Sequence, residues 1–119
     1  MTDRWPSSQR LLHLLGGRWT LGVLGELADQ GCRYHDLHDA LDGISYKVLT
    51  DTLRRAERDG LITRELDSEH IDTATLYQLT DLGRSLDKPL AALGRWSDDN
   101  WHGVEGARHR WEVRRHSAG

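Results

Sequence analysis

Hydrophobic positions recur at helical spacing through most of the chain, and the clearest amphipathic segment lies within Gly43–Gly60. Its apolar positions share one stripe at 100° per residue: Leu49, Leu53 and Ala56. Ser45 can cap the first N–H groups of such a helix, and Gly60 can take the left-handed conformation in which many helices end. The pattern therefore predicts a helix with one buried face and a defined start and end.

The opposite face of this helix is polar and mainly cationic. It carries Lys47, Asp51, Arg54 and Arg58, flanked by Tyr46 and Thr50. Any soluble surface helix can point charges outward, so the neighbouring segments decide between a solvated face and a binding face. If the neighbours form a DNA-binding motif, this segment is its recognition helix.

A shorter amphipathic segment, Tyr34–Leu41, precedes this helix, and Asp42-Gly43 forms a turn between them. Two helices joined by a tight turn containing glycine are typical of a helix-turn-helix. After the helix, 61–66 and 75–79 are two short strands around the polar loop 67–74. The order predicts a winged helix-turn-helix, mainly α with a small β-hairpin.

Further helices are predicted on both sides of this motif. Arg4–Leu15 enters through Pro6 and ends at Gly16-Gly17, and the next segment, Arg18–Ala28, is the central core helix. Its apolar stripe is Trp19, Val23, Leu24 and Leu27. Glycines inside it, at 22 and 25, cost about 1 kcal/mol each relative to alanine, which indicates close approach of another element of this chain or of a second subunit.

The last helix begins with Thr80 as its cap, and Pro89 should bend or break it near Asp87-Lys88. Its apolar stripe is longer and richer in tryptophan than a small domain needs, which is typical of an interface. With the first helix it predicts a dimer surface made of Leu11, Leu12, Leu15, Leu86, Leu90, Leu93, Trp96 and Trp101. We expect one domain over 1–102 with these dimerisation helices, followed by a basic tail over 103–119 that is either partly frayed or laid along phosphates.

Composition narrows the function. The 119 residues carry a formal charge of −3, so non-specific coating of nucleic acid is disfavoured. Protonation of the seven histidines would change that charge to +4, so DNA affinity should depend on pH. No leader or membrane span is present in the pattern, and the expected location is the cytoplasm. Phosphate-binding loops, nucleophile elbows and zinc-protease motifs are absent, so no enzyme activity, cofactor or metal is expected.

Cys32 is the single cysteine, which excludes an intrachain disulfide. A helix N-terminus and the adjacent Arg33 would lower the pKa of its thiol and suit a redox sensor. The alternative is a partly buried small residue in a loop. His35 and His38 lie one turn apart, but without a third ligand they are interpreted as two exposed histidines.

Several motifs in the same order resemble the HxlR family, bacterial winged-helix transcriptional regulators related to the MarR group. They are 16–20 (Gly-Gly-Arg-Trp-Thr), 33–37 (Arg-Tyr-His-Asp-Leu), 43–50 (Gly-Ile-Ser-Tyr-Lys-Val-Leu-Thr), 53–54, 59–64, 77–80 and 82–83. The resemblance runs from about Leu11 to Trp96. It implies a homodimer built from the first and last helices, with a recognition helix in each major groove and a wing near the minor groove.

Two departures limit what the resemblance implies. Many members carry a redox-sensing cysteine followed by proline just before the first helix, where this chain has Trp5 and Pro6. The family's wing commonly ends in a proline-rich tip with an arginine, whereas 68–74 here is acidic, which leaves Arg64 and His70 as the wing's cations. A small ligand in the dimer seam, lined by Trp5, Trp19 and Trp96, is therefore the favoured signal, with Cys32 as the redox alternative.

The sequence therefore predicts a DNA-binding transcriptional regulator, more specifically a repressor, that binds an inverted-repeat operator as a homodimer. Lys47 and Arg33 are assigned to the phosphates, and Tyr46, Thr50, Asp51 and Arg54 to the bases. The full set of expected DNA contacts is Arg33, Ser45, Tyr46, Lys47, Thr50, Asp51, Arg54, Arg58, Arg64 and His70. The alternative is a protein-interaction module. Asp51 favours this alternative, because an uncompensated carboxylate on the outer face repels phosphate. Against it, Asp51 can accept a hydrogen bond from cytosine or pair with Arg54 or Arg55.

Overall fold

A computed structural model describes residues 4–66 and 75–118. The chain divides into two compact units, Met1–Ser85 and Leu86–Gly119. The first unit contains α1 (Pro6–Leu15), α2 (Arg18–Glu26), β1 (Cys32–Arg33), α3 (Tyr34–Ala40), α4 (Tyr46–Arg58), β2 (Ile62–Leu66), β3 (Thr75–Leu79) and α5 (Asp81–Arg84). The second contains α6 (Asp87–Ala118). The predicted winged helix-turn-helix, mainly α with a small β-hairpin, is confirmed.

Glycine and proline separate the first two helices. Pro6 occupies the first turn of α1, where its missing N–H is not needed, and Gly17 adopts a φ of 91° before α2. A side chain at Gly22 would place its Cβ 2.9 Å from Leu41 Cδ2, so the predicted close approach comes from this chain. Gly25 has no neighbour within 4 Å of a Cβ, so no contact explains it.

Helix α4 begins and ends at the predicted residues. Ser45 precedes it, and Gly60 follows with a φ of 78°. The Leu61 N–H donates to the Ala56 carbonyl at 2.9 Å and the Gly60 N–H to the Glu57 carbonyl at 3.0 Å, which is the bonding pattern of a Schellman motif. The glycine thus ends α4 and directs the chain into β2.

The hairpin β2–β3 gains a third strand that the sequence pattern did not predict. The sheet order is β1-β3-β2, all antiparallel, with Cys32 opposite Tyr77 and Arg33 opposite Leu76. Arg64 of β2 lies opposite Tyr77 as well. Because β1 leads directly into α3, the sheet joins the wing to the first helix of the helix-turn-helix.

The core of the first unit is formed by the inner faces of the helices and the sheet: Leu15, Val23, Leu24, Leu27, Leu37, Leu41, Ile44, Leu49, Leu53, Ala56, Leu61, Ile62, Tyr77 and Leu79. Two predictions need correction here. Leu15 was assigned to the dimer surface, but it is buried in this core because it closes α1 against the unit interior. Trp19 is half-buried rather than a core residue, and the Arg18 guanidinium lies 4.5 Å from its ring centroid.

The predicted cap and break after the hairpin are confirmed. The Thr80 hydroxyl accepts from the Gly83 N–H at 3.0 Å and donates to the Gly60 carbonyl at 2.6 Å. A Cβ at Gly83 would overlap the Leu61 carbonyl oxygen, so this position requires glycine. α5 ends at Arg84, and α6 starts at Asp87 with Pro89 in its first turn, where a missing N–H costs no helical hydrogen bond.

Helix α6 continues through residue 103, where we predicted the start of a tail that could be frayed. The expectation that this tail is partly frayed is wrong, because residues 103–118 are the C-terminal half of α6, a helix of 32 residues. Single glycines at 103 and 106 each cost only about 1 kcal/mol relative to alanine, and the surrounding Arg, Glu and Ala residues favour a helix. Contacts along the helix add support, such as the Arg108 guanidinium 5.3 Å from the Trp101 ring centroid.

Candidate nucleic-acid interface

The N-terminus of α4 is built as the sequence predicts. Ser45 has an extended backbone, and its hydroxyl accepts from the Val48 N–H at 3.1 Å. This cap satisfies one of the free donors of the first turn. Ser45 is therefore engaged in defining the start of the helix, beside any contact that it makes with a partner.

The outer face of α4 is exposed, as predicted, but its charges pair differently. The Lys47 ammonium contacts the Asp51 carboxylate at 3.0 Å across one helical turn. This hydrogen bond and the Lys47 charge lower the pKa of the Asp51 carboxyl, with weaker help from Arg54 and Arg55. The expected pairing of Asp51 with Arg54 or Arg55 is thus replaced by Lys47, whose flexible stem reaches the i+4 position. Much of the negative charge of Asp51 is compensated before any partner binds.

Arg58 lies at the far end of the same face. Its Nε and Nη2 donate to the neighbouring Asp59 carboxylate at 3.2 and 3.5 Å. Lys47 and Arg58 are eleven residues apart, which separates them by about 16 Å along the helix axis. Arg58 also lines a groove of about 930 Å³ between α1 and the C-terminal end of α4. It therefore belongs to the edge of the candidate DNA surface.

Aromatic rings join α3 to α4. The His38 and Tyr46 rings stack in parallel, with centroids 3.9 Å apart and planes 6° apart. The Tyr34 ring lies on the same cluster, 6.2 Å from Tyr46 at 14°. Tyr46 was predicted to contact base edges; one face of its ring packs on α3, while the side chain stays 55% exposed.

Tyr34 and His38 were not among the predicted site residues. The Tyr34 hydroxyl contacts the Tyr46 carbonyl at 3.1 Å and the Thr50 hydroxyl at 2.9 Å. Thr50, predicted to face the bases, is half-buried against this hydroxyl. The signal was present in the sequence, because Tyr34 and His38 are four residues apart and so share one face of α3.

The sheet contributes two of the predicted cations. Arg33 is half-buried in β1 and directly precedes the first residue of α3. Arg64 is exposed on β2, with its Nε 3.7 Å from the Glu57 carboxylate of α4. Burial raises the pKa of the neighbouring Tyr77 hydroxyl. The remaining predicted wing contact, His70, lies outside the described residues.

Cys32 does not have the environment that a low thiol pKa requires. Partial burial, followed by the nearby carboxylates of Asp36 and Glu26, raises its pKa above the ordinary value. Its Sγ lies 3.6 Å from the Glu26 carbonyl and 3.7 Å from the Gln30 carbonyl. The suggestion that Arg33 and the helix N-terminus lower this pKa is therefore wrong, because the acidic neighbours and burial outweigh them. The thiol is a half-buried group in β1.

The predicted dimer residues other than Leu15 remain accessible to different degrees. Leu12 is 63% exposed and Leu11 is half-buried on α1. In the second unit Leu86 and Leu90 are half-buried, while Leu93, Trp96 and Trp101 are exposed. Trp5, predicted as a ligand-lining residue, is 64% exposed with the Arg4 guanidinium 5.4 Å from its ring centroid.

No helix within residues 4–66 and 75–118 is long and apolar enough to cross a membrane. No group of three His, Cys, Asp or Glu side chains in these ranges is close enough to hold a metal ion.

Comparison with known proteins gives a consistent picture. The family model described as HxlR-like helix-turn-helix matches residues 14–105. The HTH-type transcriptional regulator YdzF of Bacillus subtilis (strain 168) is 35% identical over 86 residues, covering 71% of this chain and 78% of YdzF. A transcriptional regulator of the MarR family from Enterococcus faecalis V583 has a similar structure, with a TM-score of 0.75 and 35% identity over 91% of this chain and 96% of its own. The redox regulator HypR in its reduced form gives a TM-score of 0.76 at 26% identity, covering 84% of this chain and 98% of HypR.

Proposed function

Because the chain belongs to the HxlR family of helix-turn-helix transcriptional regulators, we propose that it represses transcription by binding an inverted-repeat operator as a homodimer. Each subunit inserts α4 into one major groove, and the two helices lie about 34 Å apart, one turn of B-DNA. Such a regulator acts in the cytoplasm, on chromosomal DNA.

The observation that carries this proposal is the division of α4 into two faces. Leu49, Leu53 and Ala56 are at most 3% exposed, which leaves Lys47, Asp51 and Arg54 on the outer face. Lys47 and Arg33 contact phosphates, and Arg54 contacts a base edge, where arginine pairs well with guanine. The Lys47–Asp51 ion pair weakens the argument for a protein-interaction module, because Asp51 no longer presents an uncompensated charge to DNA.

The homodimer is supported by the character of α6. None of its described residues is buried, although Leu93, Trp96 and Trp101 are large apolar side chains. A long helix that buries nothing is unstable alone in water, and most helical stability in proteins comes from packing of an apolar face. A second copy of the chain supplies that packing, together with Leu11 and Leu12 of α1.

We further propose that a small molecule rather than oxidation releases the protein from DNA. The raised pKa of Cys32 reduces the thiolate fraction on which oxidation depends. HypR is described as a redox regulator, and if this chain shares that property the signal must act through Cys32, its single cysteine. The aromatic side chains Trp5, Trp19 and Trp96 are the candidates for lining a ligand site in the dimer.

The test is selection from a pool of random DNA duplexes by the purified protein, followed by light scattering with and without the selected duplex. We expect enrichment of an inverted repeat and the mass of two subunits. Failure to enrich any sequence would support the interaction module instead. A monomeric mass at micromolar concentration in both samples would contradict the dimer.

A further inference from the structure

Besides the stacked rings, helix α3 contacts α4 through the hydroxyl group of Tyr34. The Tyr34 oxygen lies 3.1 Å from the carbonyl oxygen of Tyr46 and 2.9 Å from the hydroxyl oxygen of Thr50. These two atoms belong to successive turns of α4, at its N-terminal end. The ring of Tyr34 is positioned by the Tyr46 and His38 rings, so its hydroxyl has little freedom to point elsewhere.

The direction of these two hydrogen bonds follows from counting protons. A phenol has one proton to donate, and a carbonyl oxygen can only accept. Tyr34 therefore donates to the Tyr46 carbonyl, and the bond with Thr50 forms only if the Thr50 hydroxyl donates to Tyr34. No other orientation of the two protons makes both contacts at once.

The usual alternative for a threonine in a helix is to donate to the carbonyl four residues earlier, which here is that of Tyr46. A carbonyl oxygen has two lone pairs. One accepts the helical N–H of Thr50, and the Tyr34 hydroxyl occupies the other. The Thr50 proton is therefore directed to Tyr34, and Thr50 is left with lone pairs only.

We propose that Tyr34 is a specificity-determining residue, because it makes Thr50 a hydrogen-bond acceptor toward DNA. Without the Tyr34 hydroxyl, the Thr50 proton can turn either to the Tyr46 carbonyl or to an acceptor on DNA, so the hydroxyl discriminates less between bases. An acceptor can bind only the amino groups that the major groove presents, those of adenine N6 and cytosine N4. At the base pair beneath Thr50 the protein thus prefers adenine or cytosine, rather than guanine or thymine, on the strand that Thr50 contacts.

This inference rests on the proposed function, since it requires α4 to lie in a major groove. Its test compares base preferences from random-duplex selection for the parent protein, Tyr34→Phe and Thr50→Val. Both variants keep the size of the side chain, and Tyr34→Phe keeps the ring stack. Tyr77→Phe is the matched control, because it removes a phenol hydroxyl from the sheet instead.

We expect one operator position at which the parent accepts adenine and cytosine but rejects guanine and thymine on the same strand, and at which Thr50→Val loses that distinction. At the same position Tyr34→Phe should reduce the preference about 3- to 10-fold, the effect of one hydrogen bond, while other positions change little. Tyr77→Phe should retain the parent profile. A Thr50-dependent position that distinguishes purines from pyrimidines, or A·T from G·C pairs without regard to strand, would overturn the inference alone, as would an unchanged profile in Tyr34→Phe.

If the parent enriches no sequence, the proposed function fails and the inference fails with it. The hydrogen bond itself is tested without DNA by urea unfolding of Tyr34→Phe, Thr50→Val and the double variant. We expect the double variant to lose less stability than the sum of the losses in the two single variants. The reason is that either single change already breaks the hydrogen bond between the two hydroxyls, so the second change cannot break it again. Strict additivity would show that the two hydroxyls do not interact, and would overturn the inference.

Discussion

Helices α4 and α6 differ in how they obtain their stability. α4 has 13 residues, a side-chain cap at Ser45, a glycine end and four buried side chains, so its own unit determines its position. α6 has 32 residues, and none of its described residues is buried. Packing within the first unit therefore already defines the outer face of α4. The second unit exposes an apolar surface, which we propose to be the dimer interface.

The largest expected effect is on α6. The double change Leu93→Glu and Trp101→Glu introduces charges on its apolar side, so we expect a monomer. A monomer binds only one half-site at a time, whereas in the dimer the binding of one subunit holds the other close to its half-site. The affinity for the full operator should therefore fall about 100-fold or more. Light scattering and gel shifts measure both effects. Asp99→Ser, on the opposite side of the helix, is the control and should remain dimeric. A double variant that stays dimeric with parental affinity would show that this surface is not the interface.

The second prediction concerns the buried side of α4. Leu49 is fully buried, so Leu49→Ala should lower the free energy of unfolding by about 2–5 kcal/mol, measured by urea denaturation. Thr52→Val is the matched control at a buried neighbour of similar size. The Thr52 hydroxyl oxygen is buried without a hydrogen-bond partner among the described residues, so this change should be neutral or stabilising. If Leu49→Ala and Thr52→Val lowered the free energy of unfolding equally, the apolar packing of Leu49 would not be a main source of the stability of α4.

A third prediction concerns the outer face. Arg54→Ala should weaken operator binding by about 1–3 kcal/mol and relax the preference at one base pair, with little effect on a scrambled duplex. Lys47→Ala should weaken both duplexes alike and reduce the slope of log affinity against log salt by roughly one. Titrations of each variant against both duplexes at several salt concentrations separate the two roles. Parental binding by both variants would mean that α4 is not the recognition helix.

A smaller effect is expected from Asp51→Asn. This change removes the carboxylate that pairs with the Lys47 ammonium in the free protein, so Lys47 no longer gives up an ion pair when it contacts a phosphate. We expect modestly tighter binding to both duplexes, with little change in the salt slope, because the number of phosphates contacted stays the same. A selective loss for the operator would instead indicate that Asp51 contacts a base. The same titrations decide between these outcomes.

The smallest effect is expected at Cys32. Its raised pKa means less thiolate at neutral pH, so alkylation by iodoacetamide should be slower than for a free cysteine and should accelerate only at higher pH. Because the pKa of Cys32 is higher in the folded protein than in the unfolded chain, the protonated thiol stabilises the folded state. This contribution is present at neutral pH and is lost as the pH rises through the pKa of the folded protein. Cys32→Ser should bind DNA like the parent. A measured pKa of the Cys32 thiol below that of a free cysteine would support the redox hypothesis. The same conclusion would follow if an oxidant released the parent protein from DNA but had no effect on Cys32→Ser.

The parts of the fold that were predicted correctly are those with local chemical signals. Ser45, Gly60 and Thr80 define helix ends through bonds to residues nearby in the chain, and all three were identified from sequence. The strand β3 was predicted with its observed ends because its apolar residues alternate between turn signals. β1 was missed, since two residues are too few to show any periodicity.

Amphipathicity by itself also determined which side of α4 is buried, because the 3.6-residue period allows only one apolar stripe. It could not decide what covers each apolar residue elsewhere. Leu15 and Leu12 are both leucines of α1, yet they are 5% and 63% exposed. The difference depends on the packing of α1 in the first unit, which no local pattern specifies.

Tertiary structure alone decided the electrostatic and hydrogen-bond partners at the interface. Lys47, rather than an arginine, pairs with Asp51, and burial together with two carboxylates raises the pKa of Cys32. Tyr34 reaches Thr50, sixteen residues later, only because the turn after α3 folds one helix against the other. The sequence determined helix α4 and its two faces through short-range propensities. The proton that each side chain can offer there depends on contacts between elements distant in the chain, so only the folded structure specifies it.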